Sequence, residues 1–399
     1  MVDLFKSYID MKLSMLSIPR WLIDYKQREF KEFRSIEFEA NPLFKKDSEA
    51  REKVFMNEEE LIDFIMNNGL DKTVDYRFNK KSDGVAYRDI ISIGGEDRSR
   101  SLIEYNENYH DKMRHLNNAL FTAGKLIDLH DDISGELDMT ETTKDKLEIS
   151  KDVFHVEKGS QSRIILELTN ETENARIYKN IDIFTEEDSK LTMFIKQNFR
   201  METIALINIW VHSKGDIEMI SVDTGGKIVR YKTYAELLSG NTNYKENKIM
   251  ICDGKQDIDV TDFVRHVGKS TKSVVNFRTS ADGDAKVVIK DIITIEEGAD
   301  NSDAFLSSEG IILGENTKIN SIPALEIKTS NVKAKHSAST RHIDYQNETY
   351  CLSRGIDEKE AREMIVNGFL FGGLELGDEA LKERIEANSI KGAGGKIQN

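Results

Sequence analysis

Asn331-Val332-Lys333-Ala334-Lys335-His336-Ser337-Ala338-Ser339-Thr340 is the stretch on which the reading of this 399-residue chain turns. It alternates with a period of two, so Val332, Ala334, His336 and Ala338 fall on one face of a strand and Lys333, Lys335, Ser337 and Ser339 on the other. Pro323-Ala324-Leu325-Glu326-Ile327 precedes it as another extended run, and Tyr350-Cys351-Leu352-Ser353-Arg354-Gly355-Ile356 follows as the approach to a helix. Strand, histidine-bearing strand and helix start in that order form a far more specific signal than a lone short motif.

Upstream, from about Val153 to Ile343, short runs rich in Val, Ile, Thr and aromatics alternate with turn residues. They include Ile164–Leu168, Ile181–Phe184, Leu191–Ile195, Ile204–Val211, Ile217–Val222, Val274–Phe277 and Val287–Ile295. Helical patterns are almost absent between them, which argues against alternating βαβ units and for an all-β architecture. No fixed-length repeat stands out, so pattern alone leaves a sandwich, a barrel and a β-helix open.

The flanks read as helical. From Asp3 to about Leu70, charged and apolar residues alternate at three- and four-residue spacing, as in Trp21, Leu22, Tyr25, Phe30 and Phe33, interrupted by Pro19 and Pro42. A second piece runs through Leu61, Ile62, Phe64, Ile65 and Met66 to Asn67-Asn68-Gly69. Downstream, Asp357 is placed to cap a helix, with Glu360 three residues on. Ala361, Met364, Ile365, Gly368 and Phe369 then form an apolar stripe at helical spacing. Leu381–Ile385 suggests a last helix before a tail containing Gly392, Gly394 and Gly395. The expected division is 1–150 helical or mixed, 151–345 β-region and 346–399 helical.

Composition bounds the function. Lys plus Arg number 56 and Asp plus Glu 71, so the net charge is −15, which repels nucleic acid in the absence of a basic patch. No apolar run approaches the roughly 18 residues of a membrane span, and Asp3, Lys6, Asp10 and Lys12 break up any signal-peptide pattern. A cytoplasmic protein is expected, with neither membrane nor nucleic acid as partner. Two cysteines, Cys252 and Cys351, exclude four-thiolate ligation of a cluster by this chain alone and form no C-x-x-C. His110, His115 and His130 lie at spacings without metal-site character and read as solvated or capping residues. Gly268-Lys269-Ser270-Thr271 resembles the end of a phosphate loop, but the leading glycine would fall at Phe263 and the context is β, so ATP binding is not expected.

The string from Pro323 to Phe369 resembles the C-terminal core of the SufB/SufD family of iron–sulfur cluster assembly proteins. Weaker likenesses occur at Pro19-Arg20-Trp21-Leu22, at Leu116-Asn117-Asn118-Ala119 through Gly124, and at His266, Thr271 and Ser273. The resemblance implies a mainly β fold: a right-handed parallel β-helix core flanked by N-terminal and C-terminal helical parts. Thr317 stands six residues before Pro323, where SufB-type chains carry a cysteine proposed as scaffold ligand, and Ser337 stands where they carry a glutamate. Both departures favour a SufD-like role.

On residues alone, His336 reads as a packed core or interface histidine. The resemblance places it where SufB and SufD meet. As a neutral imidazole it would contribute to a transient iron or iron–sulfur cluster site shared with a partner chain, which makes it the one metal-site candidate. No cofactor is expected to bind tightly to this chain alone, and no catalytic residue is assigned. Cys351 reads as a buried structural thiol, and Cys252 receives no role. The stripe Ala361, Met364, Ile365 and Phe369, beside the acidic Glu358, Glu360, Glu363 and Glu375, is by resemblance the docking site for a SufC-like ABC-type ATPase.

The partners implied are that ATPase and a SufB-like subunit or a second copy. A homodimeric scaffold acting without a distinct partner is the alternative. A β-helix carbohydrate enzyme, with Asp257, Asp259 and Asp262 as its carboxylates, is a third reading, weakened by Trp210 being the only tryptophan of the β-region.

Overall fold

The computed structural model describes residues 7, 9, 11, 18–36, 58–69, 74–94, 97–105, 111–130, 136–343 and 345–374. Its six helices of known extent are α1 (Arg20–Ser35), α2 (Glu58–Asn68), α3 (Asp97–Ile103), α4 (Lys112–Leu120), α5 (Tyr345–Ser353) and α6 (Glu358–Phe371). The strands are β1 (Val74–Lys81), β2 (Val85–Asp89), β3 (Lys125–Leu129), β4 (Glu136–Thr143), β5 (Leu147–Val156), β6 (Gln161–Asn170), β7 (Arg176–Thr185), β8 (Lys190–Phe199) and β9 (Ile204–Ser213). They continue as β10 (Asp216–Gly225), β11 (Ile228–Leu237), β12 (Asn243–Cys252), β13 (Asp257–His266), β14 (Lys272–Ala281), β15 (Lys286–Ile295), β16 (Asp303–Ile312), β17 (Lys318–Ile327) and β18 (Lys333–His342).

Two nine-stranded sheets face each other. One runs β1-β4-β6-β8-β10-β12-β14-β16-β18 and the other β17-β15-β13-β11-β9-β7-β5-β3-β2. Successive strands alternate between sheets and every pairing from β3 and β4 onward is parallel, so the chain winds as a parallel β-solenoid of about seven turns. Only β1 on β4 and β2 on β3 pair antiparallel, and they close the N-terminal end. The solenoid begins earlier than residue 151, because β4 already pairs with β6.

A solenoid without a readable repeat has a physical cause here. The residue step from one coil to the next varies from 24 (Ile204 to Ile228) to 32 (Lys286 to Lys318) while every strand from β5 onward keeps ten residues. The corners absorb the variation. Asn174, Asp188, Asn241, Ser270 and Asn301 take left-handed conformations at them, and short-range stacking joins corners of adjacent coils, as where the Asn331 side chain donates to Asn301 Oδ1 at 2.8 Å. Gly225 has φ +76°, and a Cβ there would lie 1.7 Å from the Phe199 carbonyl oxygen, so only glycine fits.

Inward-facing residues such as Ile164, Met193, Met219, Val275, Leu306, Ile207, Val260 and Ile289 form the continuous core. Outward faces are covered by helices. Leu22, Tyr25, Phe30 and Phe33 of α1 and Leu116 and Leu120 of α4 pack over Ile149, Val153, Tyr178 and Leu206. Polar groups anchor α4: Asn117 donates to the carbonyls of Ser150 and Tyr178 at 2.9 and 2.8 Å, and Arg114 meets Asp182 at 2.7 Å. On the other sheet, Val366 and Leu370 of α6 pack over Ile165, Phe194, Ile220, Val222, Ile249 and Ile251. The Asp357 carboxylate accepts from Glu360 N at 2.9 Å, as its capping pattern indicated.

Several expectations are corrected. His115 is buried and paired with Glu29 at 2.9 Å, because α1 and α4 close over it, whereas His130 is solvated as expected, with Glu157 at 3.1 Å. Cys351 is only partly buried on α5. The α6 stripe splits: Ala361 is buried and Phe369 partly buried, but the helix turns Val366 and Leu370 to the sheet and leaves Met364 53% exposed. Pro42, His110, Glu375, Leu381–Ile385 and the Gly392–Gly395 tail lie outside the described residues.

Candidate functional site

His336 sits on β18, the outermost strand of its sheet, and β17 is the outermost strand of the other. Among the described residues each has a single ladder partner, β16 for β18 and β15 for β17. The C-terminal coil therefore presents two ten-residue edges whose outer N–H and C=O groups are unpaired by the ladder. No β18 residue is buried; Ala334 alone is partly so.

Alternation sets the direction of His336. Its register partner Leu306 is an inward core residue, stacked in turn on Val275, so His336 continues an inward-facing column that ends in the last coil. Val332 and Ala334 do pack on the core, while His336 and Ala338 stay exposed because no further coil among the described residues covers them. Between the two terminal strands runs a shallow open groove lined by Ile319, Ser321, Ile322, Ala338, Ser339 and Thr340. The edge is basic, with Lys333, Lys335, Arg341 and two histidines among its ten residues.

Other candidates separate cleanly. Thr317 is buried in the turn before β17, and its hydroxyl donates to the Gly283 carbonyl at 2.9 Å, so this position offers no free ligand toward the end of the solenoid. Cys252 faces the interior, where burial pushes its thiol up to about 12, and it remains protonated near neutral pH. Gly268–Thr271 forms the corner between β13 and β14 and opens no helix. Asp257, Asp259 and Asp262 do not converge: alternation puts the first two outside and Asp262 inside, with Asp259 paired to Lys290 at 3.2 Å. Among the described residues no group of three His, Cys, Asp or Glu is arranged to hold a metal ion.

A second exposed surface lies on the α5–α6 hairpin. Tyr350 is 60% exposed and Leu352 and Met364 are also exposed, while Arg362 ties the helices together through Glu348 at 2.7 Å. Helical spacing had suggested Met364 but not Tyr350 or Leu352, since their stretch reads only as the approach to a helix and shows little apolar periodicity of its own.

The class that emerges is a parallel β-solenoid that offers an open terminal coil, rather than an enclosed cleft, as its most distinctive surface. The family model for the SUF system FeS cluster assembly SufBD core domain matches residues 139–369, more than half of the chain. The chain belongs to the SufBD family of iron–sulfur cluster assembly proteins.

It is 26% identical over 164 residues to the iron–sulfur cluster assembly protein SufD of Escherichia coli, covering 41% of this chain and 39% of that protein. A SufBD family protein of Staphylococcus epidermidis is 23% identical over 192 residues, 48% of this chain and 41% of the relative. One from Mycobacterium bovis is 24% identical over 220 residues, 52% and 55% respectively. The chain thus spans about two-fifths to just over half the length of these curated relatives. No helix among the described residues is long and apolar enough to cross a membrane.

Proposed function

We propose that this chain is a SufD-like, non-catalytic subunit of a cytoplasmic cluster assembly complex. Its open terminal coil meets a SufB-like subunit, and its α5–α6 hairpin docks a SufC-like ABC-type ATPase. The observation that carries the reading is the placement of His336 on an exposed, unpaired edge strand at the end of the inward column. There an imidazole from one chain can join thiolates from another, and an edge strand is a ready template for pairing with a second solenoid.

Iron, or the nascent cluster, is the substrate of such a seam. With no other ligand group assembled around His336 among the described residues, the remaining ligands come from the partner. The exposed Tyr350, Leu352 and Met364 give the hairpin an apolar surface beside acidic residues, which suits a basic docking face. A homodimeric scaffold would use the same edges, but Thr317 in place of a thiolate leaves it short of sulfur ligands.

The test is reconstitution of the chain with SufB-type and SufC-type proteins, with masses read by light scattering and cluster yield by absorbance. His336→Ala is expected to assemble normally and lose cluster yield, whereas Met364→Glu is expected to lose the ATPase while keeping the fold. Full cluster yield from an assembled His336→Ala complex would remove the assignment of His336. Undiminished ATPase binding by Met364→Glu would remove the hairpin as the dock.

A further inference from the structure

Charge is unevenly placed along the solenoid. The chain as a whole is −15, yet β17 and β18 of the last coil carry Lys318, Lys333, Lys335 and Arg341 against Glu326 alone, a net +3 with the histidines neutral. The coil beneath has the opposite balance: β15 and β16 hold Lys286 and Lys290 against Asp291, Asp303 and Glu309. The positive excess therefore sits where the two unpaired strand edges end the solenoid.

Alternation gathers the β18 cations on one face. His336 lies opposite the inward Leu306, so Lys333, Lys335 and Arg341 share the outer face with Ser337 and Ser339, and all three cations are exposed. Their own chain does not neutralise them. Lys335 stands opposite Phe305 and Arg341 opposite Ile311, with the guanidinium 5.9 Å from the centre of the Phe369 ring. Only Lys333 has a carboxylate across the ladder, Asp303, and among the described residues the two do not form an ion pair.

A second copy cannot neutralise them either. When two such ends meet antiparallel with their cores in line, outer residues lie beside outer residues whatever the register, and like charges placed opposite one another are destabilising. Against β18 of a second copy the cations would find Lys333, Lys335, Ser337, Ser339 and Arg341, with no carboxylate. Against β17 of a second copy they would find one carboxylate, Glu326, and one more cation, Lys318. Glu326 already accepts from Thr294 Oγ1 at 3.2 Å.

We propose that the last coil is a charge-coded seam: it turns away a second copy of this chain and accepts a partner solenoid whose terminal strand carries carboxylates on its outer face, opposite Lys333, Lys335 and Arg341. The inference rests on the reading above that this end meets another subunit, and it adds what selects that subunit. Repulsion of the wrong partner and attraction of the right one come from the same three side chains. Because those charges are exposed, the selection is strong at low salt and screened at high salt.

The experiment uses the full chain as wild type and as the triple reversal Lys333→Glu, Lys335→Glu, Arg341→Glu, with Lys335→Glu as a milder second variant and circular dichroism to establish folding. Sedimentation measures each form alone, wild type mixed with the reversal, and each form with a SufB-type protein, in about 50 mM and about 500 mM NaCl. At low salt, wild type and reversal are expected to pair at least about tenfold more tightly with each other than either does with itself, and the advantage should vanish at high salt. The reversal should also weaken the SufB-type complex at low salt, and Lys335→Glu should do so by a smaller factor. Equal binding of every form to the SufB-type protein, or wild type pairing with itself as tightly as with the reversal, overturns the charge code and leaves the seam standing. No complex of wild type with either the reversal or the SufB-type protein overturns the seam, and the proposal with it.

Discussion

His266 is buried at the end of β13, on the face it shares with Ile258, Val260 and Val264, with its two ring nitrogens 2.7 Å from Thr271 Oγ1 and 2.8 Å from Ser273 Oγ. Burial pulls its pKa from 6.5 down to about 4, so it is neutral in the folded protein over the working pH range. The unfolded chain takes up a proton below pH 6.5 that the folded chain refuses until about pH 4. Stability from this group is therefore complete above pH 6.5 and falls as pH drops, by about 1.4 kcal/mol per unit and about 3 kcal/mol in all.

His266→Phe removes both the titration and the two hydrogen bonds, which are worth about 1 kcal/mol each. Wild type should exceed the variant by about 2 kcal/mol at pH 7.5. By pH 4.5 the two-unit loss of about 2.7 kcal/mol should close the gap and slightly reverse it. Urea unfolding of both proteins between pH 4.5 and 7.5 measures the difference, in which the carboxylates common to both cancel. A gap that stays constant across that range would refute a neutral, buried His266.

Two further outcomes follow from backbone and cap. Gly225→Ala should prevent the coil from closing and leave little folded protein on expression, because its Cβ would overlap the Phe199 carbonyl; near-normal melting would contradict the corner geometry. Asp357→Ala should cost about 1 kcal/mol at the start of α6, seen as faster hydrogen exchange confined to that helix, and uniform exchange rates would deny the cap.

The strands legible in the sequence were those whose inner faces are apolar, such as β6, β8 and β9. β12 and β13 escaped because Glu246, Lys248 and Asp262 occupy inward positions and spoil the alternation that marks a half-buried strand. β1 was hidden by its mostly polar, exposed residues. The coil period was invisible since corner lengths vary while strand lengths do not. Thr271 and Ser273 stood out beside His266 as a likeness, and the two short hydrogen bonds supply its cause. His336 was placed on the right face, but no local pattern says which strand is last in a solenoid, so its exposure came only with the fold. His115 misled because its carboxylate partner, Glu29, is far away in sequence.

The antiparallel strands at the N-terminal end give the molecule a polarity that limits how it can polymerise. β1 and β2 break the parallel register there, so a second solenoid meeting that end would pair with reversed strands instead of continuing the parallel coil. When two C-terminal ends meet about a two-fold or pseudo-two-fold axis, each covers the other's parallel terminal edges, so that contact closes at two subunits instead of running on into a fibre.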